Sequence, residues 1–244
     1  MKQLTLIIDT SIRGAAVGLL RPGEKKLAFF EVSEDIKDSA RQLPLMVKRG
    51  LEDLCATSRD VGALVVSQGP GSFTGIRVGL AFAYGFSLGL NDSASNQNLR
   101  VLGASSLLVL AESTAIRERC DVVVFLPATK TSGYAAIVQK GVSRMLPVDL
   151  SSASFSEGFP KYWMVIGDWA QLVSSADLLG AGISAVIDAK AASEMVLKCL
   201  ADLVTEGRTV NWSKEIPEAI YLRKSSVEEK FDLEHSERER IDRH

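Results

Sequence analysis

The apolar positions near the start of the chain fall in short continuous runs separated by turn-forming residues. These runs are Leu4 to Asp9, Ala15 to Leu20 and Leu27 to Val32. Short aliphatic runs of this length are typical of buried strands, and their close spacing favours hairpin connections. The pattern therefore predicts a three-stranded antiparallel meander at the N-terminus.

A longer segment with helical spacing follows the third run. Asp38 or Ser39 is a suitable N-cap for a helix that we expect to end near Ala56, and Pro44 lies within its first turns, where proline is tolerated. One apolar face is predicted from the 3.6-residue period. That face consists of Ile36, Ala40, Leu43, Val47, Leu51 and Leu54, and Leu45 and Met46 widen it.

The stretch from Ser67 to Leu80 joins two unlike apolar segments. Gly62 to Val66 predicts a buried strand, and Ile76 to Leu90 predicts a helix rich in Ala and Gly. Glycines accept a positive φ, and proline fixes its own φ, so the residues between these elements predict a tight turn. The turn contains Gly69, Pro70 and Gly71, and Ser72 or Thr74 is the candidate N-cap of the helix.

Two interpretations of this glycine loop stay open. A strand, a glycine turn and a helix N-terminus together suit a phosphate, and Asp9 at the end of the first strand could hold a hydrated metal beside it. The same residues also build a ligand-free turn, in which Asp9, Thr10 and Ser11 satisfy backbone amides. The Walker P-loop is excluded, because no lysine follows Gly75.

The helix after the loop carries two rows of small residues, which would let another helix approach closely. Its only polar side chains from Ile76 to Leu90 are Arg77, Tyr84 and Ser87, so we expect it to be buried nearly all round. It is either a core helix, or it has one face on the sheet and the other on a partner's helix. The rows are Gly75, Gly79 and Ala83, and Ala81, Gly85 and Gly89.

The second half of the chain repeats the order of strand, hairpin, helix and strand, which predicts two related α/β domains. We expect the first domain to cover residues 1–100 together with about 212–224, and the second, smaller one to cover 101–211. Residues 225–244 are rich in charge and predict a solvated tail.

The composition of the chain excludes several classes of function and of site. A net charge of −2 over 244 residues gives no basic excess of the kind that nucleic-acid-binding proteins show. Both histidines, His235 and His244, lie in the tail, which excludes histidine acid–base catalysis and histidine metal sites from the body. Three distant cysteines favour free thiols. No signal peptide is apparent and Val78 to Leu90 is too short to span a membrane, so a cytoplasmic location is expected.

Three stretches together match one family. They are Ile7 to Ser11, the long motif from Ser67 to Leu80, and Pro217 to Arg223 with its Tyr-Leu-Arg ending. On these residues the chain resembles the TsaB, or YeaZ-type, family of tRNA threonylcarbamoyladenosine biosynthesis, over roughly residues 1 to 224. The chain departs from many relatives at Asp38, where they have His, and at Ala128-Thr129-Lys130, where they have Asp-Ala-Arg.

The resemblance implies an actin-like, ribonuclease H-like fold of the ASKHA superfamily with two α/β domains. It implies a subunit without its own catalysis that pairs with the catalytic TsaD subunit. With the ATPase TsaE, that pair transfers threonylcarbamoyl to the adenosine next to the anticodon. It further implies that the chain contacts tRNA only indirectly and that the isolated chain forms a homodimer. The lack of histidine in the body predicts that no metal is bound. ATP or ADP at the paired interface is the one cofactor that the resemblance allows.

The helix pattern and the glycine loop supply the candidate site residues. The partner interface would comprise Leu43, Met46, Val47, Gly75, Val78, Gly79, Phe82, Ala83 and Phe86. A nucleotide or phosphate would contact Asp9, Thr10, Ser11, Gly69, Gly71, Ser72 and Thr74. The alternative function is an active nucleotide-dependent kinase or hydrolase of the same superfamily, in which Asp9 holds a metal and the glycine loop holds phosphates.

Overall fold

The computed structural model describes residues 3–12, 14–33, 38–91, 99–129, 132–149, 160–167, 183–205, 213, 215 and 217–220. The first half contains β1 (Leu4–Asp9), β2 (Ala16–Leu20), β3 (Leu27–Val32), α1 (Ser39–Asp53), β4 (Val61–Ser67), α2 (Phe73–Asn91) and β5 (Arg100–Ala104). The second half contains α3 (Ser106–Glu118), β6 (Val122–Pro127), β7 (Ser132–Gln139), β8 (Val142–Asp149), β9 (Tyr162–Ile166), β10 (Ile183–Ile187) and α4 (Ala189–Thr205).

The first sheet has the strand order β3-β2-β1-β4-β5. β1 runs antiparallel to β2, and β2 runs antiparallel to β3, so the predicted meander is confirmed. β4 and β5 then extend the sheet in parallel on the other side of β1. β5 continues to Ala104, and Val101 of this strand forms a β-bridge with Ser213, which lies in the segment 212–224 that we expect in the first domain.

The second sheet repeats this topology. Its order is β10-β9-β6-β7-β8, with β6, β7 and β8 forming an antiparallel meander and β9 and β10 added in parallel. The tight turn between β7 and β8 places Lys140 and Gly141 at φ values of 51° and 75°, a conformation that matches the twist of a hairpin. The predicted duplication of an α/β unit is therefore confirmed by strand order and direction.

Helices α3 and α4 pack against each other between the two sheets. One continuous core joins Ile7 and Val65 of the first sheet to Val124 of the second through Leu110 of α3 and Leu200 of α4. Alternate residues of the first sheet point to its opposite face, where α1 and α2 cover them. The first sheet is thus buried on both faces, which fits the near-continuous apolar runs of its strands.

Helix α2 is only partly buried, so the expectation that it is covered nearly all round is wrong. About 33% of the window from Phe73 to Leu90 lies inside the protein, and Tyr84 and Leu88 are 58% and 49% exposed. The helix begins at Phe73, directly after the candidate N-cap Ser72. By length and composition alone it is long and apolar enough to cross a membrane. Its inner face packs on β1 and β4, as in the core helix of a globular protein.

Candidate functional site

The end of β1 is a buried polar turn. Asp9 is only 1% exposed, and its Oδ1 accepts hydrogen bonds from the Ser11 hydroxyl at 2.6 Å and the Ser11 amide at 3.1 Å. Oδ2 is also buried and finds no hydrogen-bond partner in the described part of the chain. Burial raises the pKa of the Asp9 carboxyl, and the two hydrogen bonds from Ser11 oppose that rise. The turn is held by its own side chains, as an Asx-type turn is.

Three buried serines connect this turn to neighbouring elements. The Ser11 and Ser106 hydroxyl oxygens lie 2.7 Å apart, and the Ser67 hydroxyl donates to Ser11 Oγ at 3.2 Å. Ser67 ends β4 and Ser106 begins α3, so the network joins the carboxyl ends of two parallel strands to the start of a helix. A fully buried hydroxyl network of this kind fixes the platform on which the glycine loop rests.

The glycine loop lies directly on that platform. The Gly69 amide donates to Ser67 Oγ at 3.3 Å, and the Ser72 amide donates to the Ser11 carbonyl at 2.7 Å. A Cβ on Gly71 would stand 2.1 Å from the same Ser11 carbonyl oxygen, and Gly69 and Gly71 have φ values of 96° and 150°. Only glycine satisfies both the close approach and the backbone angle at these positions.

The segment Pro217 to Ile220 packs against the loop from outside. The Ile220 amide donates to the Gln68 carbonyl at 2.8 Å, and the Gln68 side-chain amide donates to the Glu218 carbonyl at 2.6 Å. The extended segment that the sequence predicts is therefore anchored at its start. Tyr221, Leu222 and Arg223, which we expected to complete it, lie outside the described residues.

The predicted phosphate-contacting residues meet at this one place, and part of the loop's hydrogen-bonding capacity is already used within the chain. Amides that a phosphate would need, those of Gly69 and Ser72, already donate within the chain. Thr10 and Ser11 are buried with Asp9. No group of three potential metal-ligating side chains occurs among the residues that the structure describes. Of the predicted contacts, Ser72 and Thr74 remain exposed.

Ser72 is the residue that starts α2. Its Oγ accepts the Gly75 amide at 3.1 Å, as an N-cap does, which settles the choice between Ser72 and Thr74. The first turns of the helix press on the turn after β1: a Cβ on Gly75 would lie 2.0 Å from the Thr10 carbonyl oxygen, and one on Gly79 would lie 2.4 Å from Thr10 Oγ1. This row of small residues lets the helix sit close to the sheet.

The second small row points the other way. Ala81, Gly85 and Gly89 are exposed, and a Cβ on Gly85 or Gly89 would meet no atom within 4 Å. Large apolar side chains flank the row. We define the outer α2 face as Ala81, Tyr84, Gly85, Leu88 and Gly89 of α2 together with Leu45 of α1, which is 44% exposed.

Six of the nine predicted interface residues belong to the chain's own core, and this part of the prediction is corrected. Leu43, Met46, Val47, Gly75, Gly79 and Ala83 are buried between their helices and the first sheet. Val78, Phe82 and Phe86 are half-buried, and the rings of Phe82 and Phe86 stack with their centroids 5.8 Å apart. Helical periodicity finds apolar positions but does not tell which side of an apolar helix meets the sheet. The signals for the outer face were the second small row and Leu45, which lies off the main apolar face.

Known proteins match this same region. The model of the family described as TsaD, tRNA N6-adenosine threonylcarbamoyltransferase, matches residues 33–146, which include α1, the glycine loop and α2. A tRNA threonylcarbamoyladenosine biosynthesis protein TsaB from Buchnera aphidicola is 33% identical over 114 residues, 46% of this chain and 49% of that protein. The structure of YeaZ from Pseudomonas aeruginosa covers 90% of this chain and 100% of its own, with a TM-score of 0.63 and 21% identity. The chain is thus similar to TsaB/YeaZ-type proteins, in sequence over about half of its length and in fold over 90% of it.

Other relatives extend the match. An uncharacterised protein of Mycobacterium tuberculosis is 37% identical over 155 residues, 63% of this chain and 67% of that protein. The alignments span about half the length of the first curated TsaB relatives. The YeaZ likeness shows the fold, and the repeated sheet topology confirms the predicted duplicated α/β architecture.

Proposed function

We propose that this chain is a non-catalytic subunit in tRNA threonylcarbamoyladenosine biosynthesis, and that it pairs with a TsaD-type catalytic subunit through the outer α2 face. The observation that carries the proposal is the exposure of Tyr84 and Leu88 beside a row of small residues on α2, with Leu45 also exposed on the neighbouring α1. An apolar patch of this kind on two adjacent helices is typical of a protein–protein interface.

The shape of the face supports helix-on-helix pairing. α1 and α2 already pack against each other, and the exposed Gly85 and Gly89 leave room for another helix to approach closely. Two such helices from each subunit would form a four-helix bundle with a buried apolar seam. In the absence of its partner, the same face would pair with a second copy of the chain.

The polar turn supports a role without catalysis. Asp9 is buried beneath the loop, and the loop amides of Gly69 and Ser72 are engaged within the chain. The body has no histidine to move protons or bind a metal. In this proposal the TsaD-type subunit supplies the chemistry, a TsaE-type ATPase completes the complex, and the complex works in the cytoplasm.

The pairing is tested by Leu88→Asp, which places a carboxylate at the centre of the proposed seam. Burial of an unpaired charge at such a position weakens binding by about 2 kcal/mol or more, about 30-fold. Co-purification and titration calorimetry with the TsaD-type protein measure the loss. Ile116→Asp is the matched control, because Ile116 is an equally apolar, 63% exposed residue on α3, outside the face. Pairing that survives Leu88→Asp, or is lost equally in the control, places the interface elsewhere.

The function as a whole is tested by reconstituting tRNA modification from the partner proteins with and without this chain. Modification that proceeds equally well without it refutes the proposal.

The rival function, an active nucleotide-dependent kinase or hydrolase, is tested by titrating the isolated chain with ATP and Mg²⁺. Tight binding with turnover that Asp9→Ala abolishes would establish the rival and overturn the non-catalytic role.

A further inference from the structure

A groove of about 380 Å³ lies between the edge of the first sheet and α4, away from the outer α2 face. The turn before β3 supplies Lys25 and Lys26, β3 supplies Leu27 and Phe30, and α4 supplies Lys198 with its neighbours Ala201 and Asp202. We call it the lysine groove. Its volume is within the range of sites that hold one small ligand or one nucleotide unit.

The lysine groove combines positive charge with an exposed aromatic ring. All three lysines are exposed, and Lys198 Nζ lies 5.7 Å from the centroid of the Phe30 ring. None of the three ammonium groups forms a salt bridge with a carboxylate of the described chain. Asp202 is the one acidic residue in the lining, so three positive charges face one negative charge. This concentration is notable in a chain whose net charge is −2.

The fold holds the two sides of the groove in place. The Glu24 amide donates to the Arg21 carbonyl at 3.1 Å, and Gly23 has a φ of 81°, so a closed turn leads into the two lysines. β3 is paired with β2 along its length, and α4 packs on β1, β2 and β3. The lysines and the ring are therefore presented by ordered elements and not by a long loop.

Protection of a sheet edge explains only part of this arrangement. Lysines beside an edge strand discourage pairing with other chains, and Lys25 and Lys26 would serve that purpose at the open edge of β3. Lys198 belongs to α4 and lies over the Phe30 ring, a placement that edge protection does not require. Phe30, 46% exposed at the same edge, is the opposite of what edge protection requires.

We infer that the lysine groove binds RNA, with backbone phosphates on Lys25, Lys26 and Lys198 and one unpaired base stacked on Phe30. Lysines neutralise phosphates, and an exposed aromatic ring accepts the face of any base. The carboxylates of an acidic peptide would bind the lysines but would not stack on the ring, whereas each RNA nucleotide carries both a phosphate and a base that stacks, so the ring favours RNA. This inference rests on the proposed function, in which RNA is the substrate. It adds that this subunit contacts tRNA directly, whereas the family resemblance implies only indirect contact.

The test is fluorescence anisotropy of the full chain with a labelled, unmodified tRNA anticodon stem-loop. Lys25→Glu with Lys198→Glu should weaken binding at least about tenfold and lower the salt slope by about 1.4, from two lost phosphate contacts. Phe30→Ala should weaken binding about tenfold, and Phe30→Trp should retain it, because stacking needs only an aromatic ring. Lys48→Glu with Lys161→Glu is the matched control, since it changes the net charge equally outside the groove.

Several results would overturn the inference. They are no RNA binding by the unmodified chain, equal losses in the groove and control variants, or full binding by Phe30→Ala. Competition by polyglutamate or by free ADP as strong as that by unlabelled RNA would instead assign the groove to an acidic peptide or a mononucleotide. Leu88→Asp should bind RNA normally, and the groove variants should still pair with the TsaD-type protein, so failure of the groove and failure of the proposed pairing give separate results.

Discussion

The two rows of glycines on α2 predict opposite effects of one substitution within one helix. Replacing Gly by Ala inside a helix raises the free energy of unfolding by about 1 kcal/mol, because the unfolded chain loses backbone entropy. At Gly85 nothing opposes this gain, because the new methyl group meets no atom within 4 Å. At Gly75 the methyl group would lie 2.0 Å from the Thr10 carbonyl oxygen, at least 1 Å closer than real contacts allow. The start of α2 would have to move away from the turn after β1.

We therefore expect Gly85→Ala to stabilise the chain by about 0.5–1 kcal/mol. Gly75→Ala should destabilise it by a net amount of about 2 kcal/mol, because overpacking costs about 1–3 kcal/mol and the entropic gain offsets only part of that cost. For a chain of this length each kcal/mol changes the melting temperature by about 2–4 °C. Urea unfolding and thermal melting followed by circular dichroism measure both. A Gly75→Ala chain as stable as the unmodified one, or shifts of the same sign in both variants, would refute the assigned inner and outer faces.

Two further predictions concern the polar turn and the helix start. Burial raises the pKa of Asp9 above its ordinary 3.8, so the folded chain keeps this proton to a higher pH than the unfolded chain does. The free energy of unfolding therefore falls as the pH rises between the two pKa values. Asp9→Asn should remove that slope in unfolding free energies measured upward from about pH 4, and an unchanged slope would show that another group is responsible. Ser72→Ala should lower the free energy of unfolding in urea by about 1 kcal/mol, because the Gly75 amide loses its N-cap acceptor, whereas Thr74→Ala should lower it little. Equal losses in the two variants would contradict the assignment of Ser72 as the N-cap.

Local chemistry along the chain was enough to predict the elements and their order. Short aliphatic runs gave the strands, and helical spacing gave α1 and the long helix after the loop. Repetition of the same order of elements predicted the duplicated α/β architecture. The glycine loop was predictable because positive φ angles and close backbone contact demand glycine at Gly69 and Gly71.

The hydrogen bonds of the loop were not predictable from its sequence. A phosphate cradle and a closed turn use the same residue types, and the difference is where the amide hydrogen atoms point. The amides of Gly69 and Ser72 donate to Ser67 and to the Ser11 carbonyl, partners supplied by β4 and by the turn after β1. Such partners are set by how distant segments pack.

The sequence by itself determined that α2 is apolar with two small-residue rows, and that Lys25, Lys26, Phe30 and Lys198 exist as separate residues far apart in the chain. The tertiary structure decided that Gly75 and its row face the sheet, and that the lysines and the ring share one groove. The physical reason is the range of the interactions. Backbone preferences and periodicity act over a few residues, whereas burial, sidedness and the meeting of charges depend on contacts between elements that the chain brings together only when it folds.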